Sequence, residues 1–317
     1  MIKRQLGRTG IEVSEISFGC VELGIPYGIG VSGRHDMLPE AQAIALLQEA
    51  CAEGINLFDT APAYGTSEEI LGKAFEHRRE DVIICTKCPA LTDDEGAVLT
   101  GRELRRTLEQ SLMKSLTALR SDHVDIYMLH QVSEPVLQSA EVTHLFDEFK
   151  RHGLIRAAGA STYPSGITDH VVESGNWDVI QVAFNLMDQR EGPAIQRAHQ
   201  AGIGVIVRSV LFKGILTDKG RNLHPALRAV EDHRHVYQAF LSGGMTLSDL
   251  ATRYVLSREG VGSALLGIDR KAYLQSALHA SRQAPLGPDV VAGCEALAYH
   301  DPKFLDLPAW DRRGWLT

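Results

Sequence analysis

Short apolar runs alternate along this chain with stretches of helical periodicity. INLF (55–58), VIIC (82–85), VDIYM (124–128), VIQVAF (179–184) and VIV (205–207) are almost continuously apolar, as strands buried on both faces of a parallel sheet should be. Between them apolar positions recur every three or four residues, the mark of helices that bury one stripe. The pattern predicts strands at 16–18, 56–58, 82–85, 124–128, 157–160, 179–183, 204–207 and 263–266. It predicts helices at 39–54, 68–75 (capped by Ser67), 102–119, 138–151, 167–173, 193–201, 225–241, 247–257 and 271–282. The helix at 247–257 opens on a capping box, Thr246-x-x-Asp249. Ahead of the first repeat, the opening residues read as a hairpin turning at 7–10, and 21–39 as a long Gly- and Pro-bearing loop. Eight strands alternating with helices, without a linker-like break, imply an α/β fold of the (β/α)8 TIM barrel type. The N-terminal β-hairpin precedes the barrel, a C-terminal loop or tail after Pro285 lies over it, and residues 1–317 form one barrel domain.

Composition narrows the function classes. A chain of 317 residues, 44% hydrophobic and 23% charged, can bury a sizeable core. Its formal charge of −8 argues against nucleic acid or an acidic membrane as principal partner. No run approaches a membrane span, and MIKRQLGRTG has no apolar segment behind its basic start, so neither a span nor a secretory signal is expected. Five scattered cysteines suit a reducing, cytoplasmic setting. Cys85 and Cys88 form a CxxC, but residues three apart on a strand point to opposite faces, so no metal or redox role is expected of them. Gly28-Ile-Gly30-Val-Ser-Gly33 matches GxGxxG without the strand before it or the helix after it, and is read as a loop.

The chemistry gathers at strand ends. In such a barrel the site lies at the C-terminal ends of the strands. Asp59, Lys87 and His130 are the first ionisable residues beyond three successive strands, and Tyr64 sits on the loop after the first of them. A free phenol, with its pKa of about 10, is a poor proton shuttle near neutrality. A neighbouring lysine lowers that value, a carboxylate keeps the lysine charged, and a histidine can hydrogen-bond a substrate oxygen. None of these residues is a good nucleophile and no metal-ligand spacing occurs, so the set suits proton transfer coupled to carbonyl reduction by a cofactor hydride. His233-x-His235 reads as exposed helix surface.

With those residues in place the chain resembles the aldo-keto reductases over nearly its whole length. The resemblance is carried by GINLFDTAPAYGTSEEILGKAF (54–75), Thr86-Lys87, DIYMLHQ (125–131), the GAS at 159–161, IQVAFNL (180–186) and VIVRSVLFKGILT (205–217). It implies the barrel fold, a nicotinamide cofactor bound without a Rossmann domain, and reversible reduction of a small aldehyde, ketone or sugar. By residue it implies Tyr64 as general acid/base, tuned by Lys87 and Asp59, with His130 orienting the carbonyl. Ser161 and Gln181 would hold the carboxamide, with Asn185 nearby, and Thr60 and the Asp59 region would lie beneath the ring. Arg208 stands where the family often stacks an aromatic, and Ser209, Leu211, Lys213 and Gly214 would follow the pyrophosphate.

The departures are Thr162 where the family often has Asn, and the adenosine end, GIDRKAYLQSAL, with Tyr273, Ser276 and Ala277 at positions usually held by Arg and an acidic-Asn pair. There Gly267, Asp269 and Arg270 are the expected contacts. Arg270 and Lys271 can meet a 2′-phosphate, whereas Asp269 repels one and can accept a bond from a free ribose hydroxyl. NADP(H) is slightly favoured on the family pattern and NAD(H) stays open. Two alternatives stand beside the reductase: an aldose 1-dehydrogenase running the same chemistry oxidatively, and a non-catalytic cofactor-binding regulatory subunit. Tyr27, Phe212, Trp310 and Trp315 are candidates to line the substrate pocket. Neither the substrate nor the oligomeric state is readable.

Overall fold

The computed structural model describes residues 1–31, 33–163 and 166–316; Ser32, inside the GxGxxG run, lies outside them. Its strands are β1 (Lys3–Gln5), β2 (Glu12–Ser14), β3 (Ile16–Gly19), β4 (Leu57–Asp59), β5 (Ile83–Cys88), β6 (Val124–Leu129), β7 (Ile155–Ser161), β8 (Val179–Ala183), β9 (Gly204–Arg208) and β10 (Ser263–Gly267). The last eight close into a barrel in the order β10-β3-β4-β5-β6-β7-β8-β9, and neighbours run parallel throughout, for example Cys85 beside Ile126 and Ser161 beside Gln181. This is the expected (β/α)8 barrel. Strands β1 and β2 pair antiparallel as the expected hairpin. Leu6, Ile11 and Val13 from the hairpin pack with Leu57, Cys85, Ile126, Met128, Ala157, Val179 and Ile206, which face into the barrel. The Arg8 amide bonds the Gly202 carbonyl just ahead of β9, so the hairpin plugs the N-terminal end. Outward-facing strand residues form a second, larger core with the surrounding helices.

Local expectations needed correction where one turn or one side chain decided the outcome. The stretch 21–39 is not wholly a loop: it holds the one-turn helix Val21–Gly24 and a 3-10 turn at Arg34–Asp36. Helix Ser67–Phe75 has Thr66, not Ser67, at its N-cap; the Ser67 hydroxyl instead donates to the Cys20 carbonyl and pairs with the Thr60 hydroxyl. The helix expected at 225–241 is divided into Pro225–Leu227, Arg228–His233 and Arg234–Phe240, of which only the middle piece is α-helical. At the start of the third piece Arg234 turns inward and gives its guanidinium to the Thr217 and Gly220 carbonyls. Strand β5 runs on to Cys88, so Lys87 is inside the strand rather than beyond it. Cys85 faces the barrel interior and Cys88 the outer core, as alternation requires. The tail carries helices Pro288–Ala296 and Leu307–Arg312. Among the described residues no helix is long and apolar enough to cross a membrane, and no group of three or more His, Cys, Asp or Glu could hold a metal.

Candidate active site

The site continues rows of side chains that already fill the barrel. Alternate residues of a strand share a face, so the row holding Leu57 ends in Asp59, that of Cys85 in Lys87, that of Ile126 and Met128 in His130, that of Val179 in Gln181, and that of Ile206 in Arg208. Each row changes from apolar to polar as it nears the C-terminal mouth. Tyr64 enters from the side, on the turn Pro62–Tyr64 after β4. Its ring meets that of His130 edge-on at 5.6 Å.

Lys87 is fully buried and donates from Nζ to Asp59 Oδ2 at 2.7 Å and to the Thr60 carbonyl at 2.9 Å. The same ammonium lies 5.0 Å from the centroid of the Tyr64 ring. Burial alone would discharge this lysine; the Asp59 carboxylate, with Tyr64, outweighs burial and raises its pKa, so it stays cationic. Asp59 is held on its other oxygen by the Gln181 amide at 2.7 Å. His130 is pushed down to about 4 by burial and by the Lys87 cation, and is neutral at ordinary pH. Tyr64 departs from expectation. Its burial raises the pKa, Lys87 lowers it, and the net direction is upward, so the resting phenol is protonated.

A cavity of about 590 Å³ connects these groups to the far end of the barrel mouth. Asp59, Tyr64, His130, Ser161, Gln181, Arg208, Ser209, Leu211, Gly214, Gly267 and Asp269 all line it, together with Tyr27 and Lys213. The expected contact Arg270 lies instead beside a shallower recess with Ile29, Asp36 and Lys219. Ser161 Oγ donates to Gln181 Oε1 at 3.2 Å, which leaves polar capacity on both side chains for a carboxamide. Arg208 is anchored on the Thr162 carbonyl at 2.7 Å and lies 4.3 Å over the Tyr163 ring. Ser209, Phe212 and Lys213 adopt positive φ of 58°, 49° and 56°, a strained run of the kind that gathers at ligand sites. A long cavity with an amide-binding pair in one part and cations in another fits a dinucleotide.

Other expected residues do different work. Asn185 uses its side chain on backbone, donating to the Ser209 carbonyl and accepting from Met187 and Asp188. The Thr162 hydroxyl pairs with that of Thr168, and Thr60 offers Lys87 only its carbonyl. Arg270 is not free for a phosphate: Nε and Nη2 fork onto Asp269 at 3.2 and 3.0 Å. Phe212 packs on Trp310 at 5.6 Å between centroids, and neither they nor Trp315 line the cavity. Two residues of the 21–39 stretch were missed. Gly24 lies so close to the Tyr64 backbone that an added Cβ would overlap the Tyr64 carbonyl oxygen. Glu22 projects into the cavity and its Oε2 is buried without a hydrogen-bond partner. The one signal available was an acid three residues beyond the end of β3.

Comparison with known proteins shows the family. The model of the Aldo/keto reductase family matches residues 15–298, a span that includes all eight barrel strands. L-galactose dehydrogenase of Arabidopsis thaliana is 31% identical over 279 residues, covering 84% of this chain and 83% of that protein. NADH-specific methylglyoxal reductase of Escherichia coli is 32% identical over 231 residues, covering 68% and 69%. The solved holo form of aldo-keto reductase AKR11C1 from Bacillus halodurans superposes with a TM-score of 0.78 at 25% identity, covering 96% of this chain and 99% of that one. The chain therefore belongs to the aldo/keto reductase family, oxidoreductases that use the nicotinamide cofactors NAD(P)H in carbonyl reduction.

Proposed function

We propose that the chain, acting as one barrel domain over residues 1–317, interconverts the carbonyl and alcohol forms of a small aldehyde, ketone or sugar with a nicotinamide dinucleotide. Asp59, Tyr64 and His130 lining one cavity, with Lys87 buried behind them and ion-paired to Asp59, carry this reading. The cofactor supplies or takes up the hydride. Tyr64 gives its phenolic proton to the carbonyl oxygen. Lys87, held cationic by Asp59, stabilises the phenolate that remains. His130, neutral and edge-on to the phenol, donates to the same oxygen and orients it. Ser161 and Gln181 hold the carboxamide, Arg208 flanks the ring, and Ser209, Leu211, Lys213 and Gly214 bind the phosphates.

The Asp269–Arg270 pairing favours NAD(H). A 2′-phosphate would have to displace a bonded carboxylate from the arginine and would be repelled by it, whereas a ribose hydroxyl can donate to Asp269. The methylglyoxal reductase among the relatives is described as NADH-specific, which points the same way. A second reading, oxidation of an aldose at C1, draws on the similarity to L-galactose dehydrogenase.

The test is turnover of 4-nitrobenzaldehyde, methylglyoxal and a panel of aldoses, in both directions and with both cofactors. Tyr64→Phe should lower turnover by about 10²–10⁴-fold while leaving dinucleotide affinity nearly unchanged. Near wild-type turnover in that variant would refute the proton-donor role. Binding of cofactor with no turnover across the panel would leave the non-catalytic subunit standing. Asp269→Ala should shift the ratio of the two cofactors' kcat/KM toward NADPH; an unchanged ratio dismisses the role given to Asp269.

A further inference from the structure

Glu22, like Asp218, lines the cavity without a part in the reaction above. It follows β3 by three residues and reaches across to β10, where an added Cβ on Gly267 would overlap its Oε1. The missing side chain at Gly267 therefore makes room for this carboxyl, a different use from the direct cofactor contact expected there. Oε2 is buried and makes no hydrogen bond. A buried acceptor with no donor is costly, and a buried carboxylate more so.

The groups that face Glu22 come from each neighbouring element. Asp269, after β10, repels its charge; Lys213 and Lys219, from the segment after β9, attract it. Tyr27 from its own loop and Cys20 ahead of it also interact with its charge. Lys213 is ion-paired with Asp311 and lies 4.4 Å from the Tyr27 ring centroid. Lys219 stands 5.3 Å from the Tyr273 ring centroid. Neither lysine donates a hydrogen bond to the Glu22 carboxyl. Burial, reinforced by Asp269 and opposed by Glu22's own backbone amide and the two lysines, lifts its pKa from 4.5 to about 8.

We propose that Glu22 meets the bound dinucleotide as a neutral acid, its Oε2–H donating to an oxygen of the phosphate–ribose backbone. This rests on the dinucleotide reading of the cavity. A carboxylate there would face the cofactor's own negative charge, so the ionised protein takes up one proton from solvent as cofactor binds, and that proton stays on Glu22 in the complex. Cofactor affinity is then insensitive to pH while Glu22 is protonated in the free protein. It falls as pH rises through and beyond the carboxyl's pKa, because protonation has to be restored for binding.

Calorimetric titration with NAD⁺, NADP⁺ and ADP-ribose, in buffers of different ionisation enthalpy, reads this directly. Expected for the wild-type protein are an uptake approaching one proton per ligand at about pH 9 and a Kd rising toward tenfold per pH unit above about pH 8.5. Glu22→Gln keeps a donor of the same shape and should abolish both the uptake and the slope while holding the affinity seen near pH 7. ADP-ribose should show the same linkage, since the site does not involve the nicotinamide ring. Binding without proton uptake, or a slope that survives in Glu22→Gln, overturns this inference alone. Failure of all three ligands to bind at any pH overturns the cofactor reading and this inference together.

Discussion

At Tyr64 burial and the Lys87 charge act on one proton in opposite directions, and burial prevails. In the proposed reaction the phenol is therefore a ready donor over the whole neutral range, and Lys87 would act chiefly once the proton has gone, when an oxyanion faces a buried ammonium. His130, lowered to about 4, contributes no charge change near neutrality. The pH dependence follows from these directions. A donor whose pKa lies above 10 remains loaded, so reduction at saturating cofactor should be flat from about pH 5.5 to 9, with no inflection near 6.5 where a free histidine would titrate. Oxidation of the alcohol needs the deprotonated phenol, whose fraction grows with pH below its pKa, and should rise through pH 9. Parallel pH–kcat profiles in the two directions check both statements, and a histidine-like break in the reductive profile would contradict them. The opposing effects on Tyr64 were only half visible in the sequence. The Lys87 charge is legible as a residue type, whereas the depth to which the ring sinks is a property of packing.

The elements explain why the strand ends supplied so much and the loop after β3 so little. Once an apolar run is read as a buried parallel strand, alternation settles which residues face inward, and Asp59, Lys87, His130, Gln181 and Arg208 share parity with the apolar residues before them. That inward placement was written in periodicity. Helix Val21–Gly24 is a single turn, too short to show any period, and its Gly and Pro neighbours resemble an ordinary loop. Its contribution is a close approach: Gly24 admits the backbone of Tyr64, so the turn Pro62–Tyr64 is seated against it. A methyl group at Gly24 would have backbone as its obstacle, which cannot rotate away as a side chain can. Gly24→Ala should therefore displace Tyr64, lowering kcat by at least about tenfold, a shift of only ~1.4 kcal/mol in barrier, with destabilisation of about 1–3 kcal/mol. Thermal melts alongside kcat with saturating substrates measure the two effects, and unchanged kcat would show that Tyr64 does not depend on this contact. The pairing of Arg270 with its neighbour Asp269 escaped sequence reading for a related reason. Adjacent charges are compatible with either a free arginine or an internal fork, and only the fold of the turn after β10 chooses.

Across the whole molecule the C-terminal tail is joined to the loop after β9, which lines the cavity. Trp310 is buried, with Phe212 at 5.6 Å and Phe304 at 5.4 Å between ring centroids, and Asp311 pairs with Lys213. Phe212 and Lys213 are two of the positive-φ residues of the loop after β9, so residues about 100 positions later hold a strained segment in place. The sequence reading placed the tail over the barrel from its position and composition, yet offered its tryptophans as pocket lining. They are support behind the wall. Strain of this kind persists only while its surroundings over-determine it. Replacing a buried tryptophan with alanine costs about 3–5 kcal/mol, mainly through lost contacts and the cavity left behind. Trp310→Ala should accordingly lower the melting temperature, and it should also raise the dinucleotide Kd several-fold because Ser209, Leu211 and Lys213 lose their common backing. The two outcomes separate packing from function. Asp311→Asn, which removes the charge but keeps the helix and the tryptophan, leaves the nearly buried Lys213 ammonium without its counter-ion and should lower the melting temperature by less than Trp310→Ala does. It frees Lys213 and so should leave dinucleotide affinity equal or tighter. A Trp310→Ala protein that melts early but binds dinucleotide as tightly as wild type would detach the tail from the site and reduce it to a cover for the barrel.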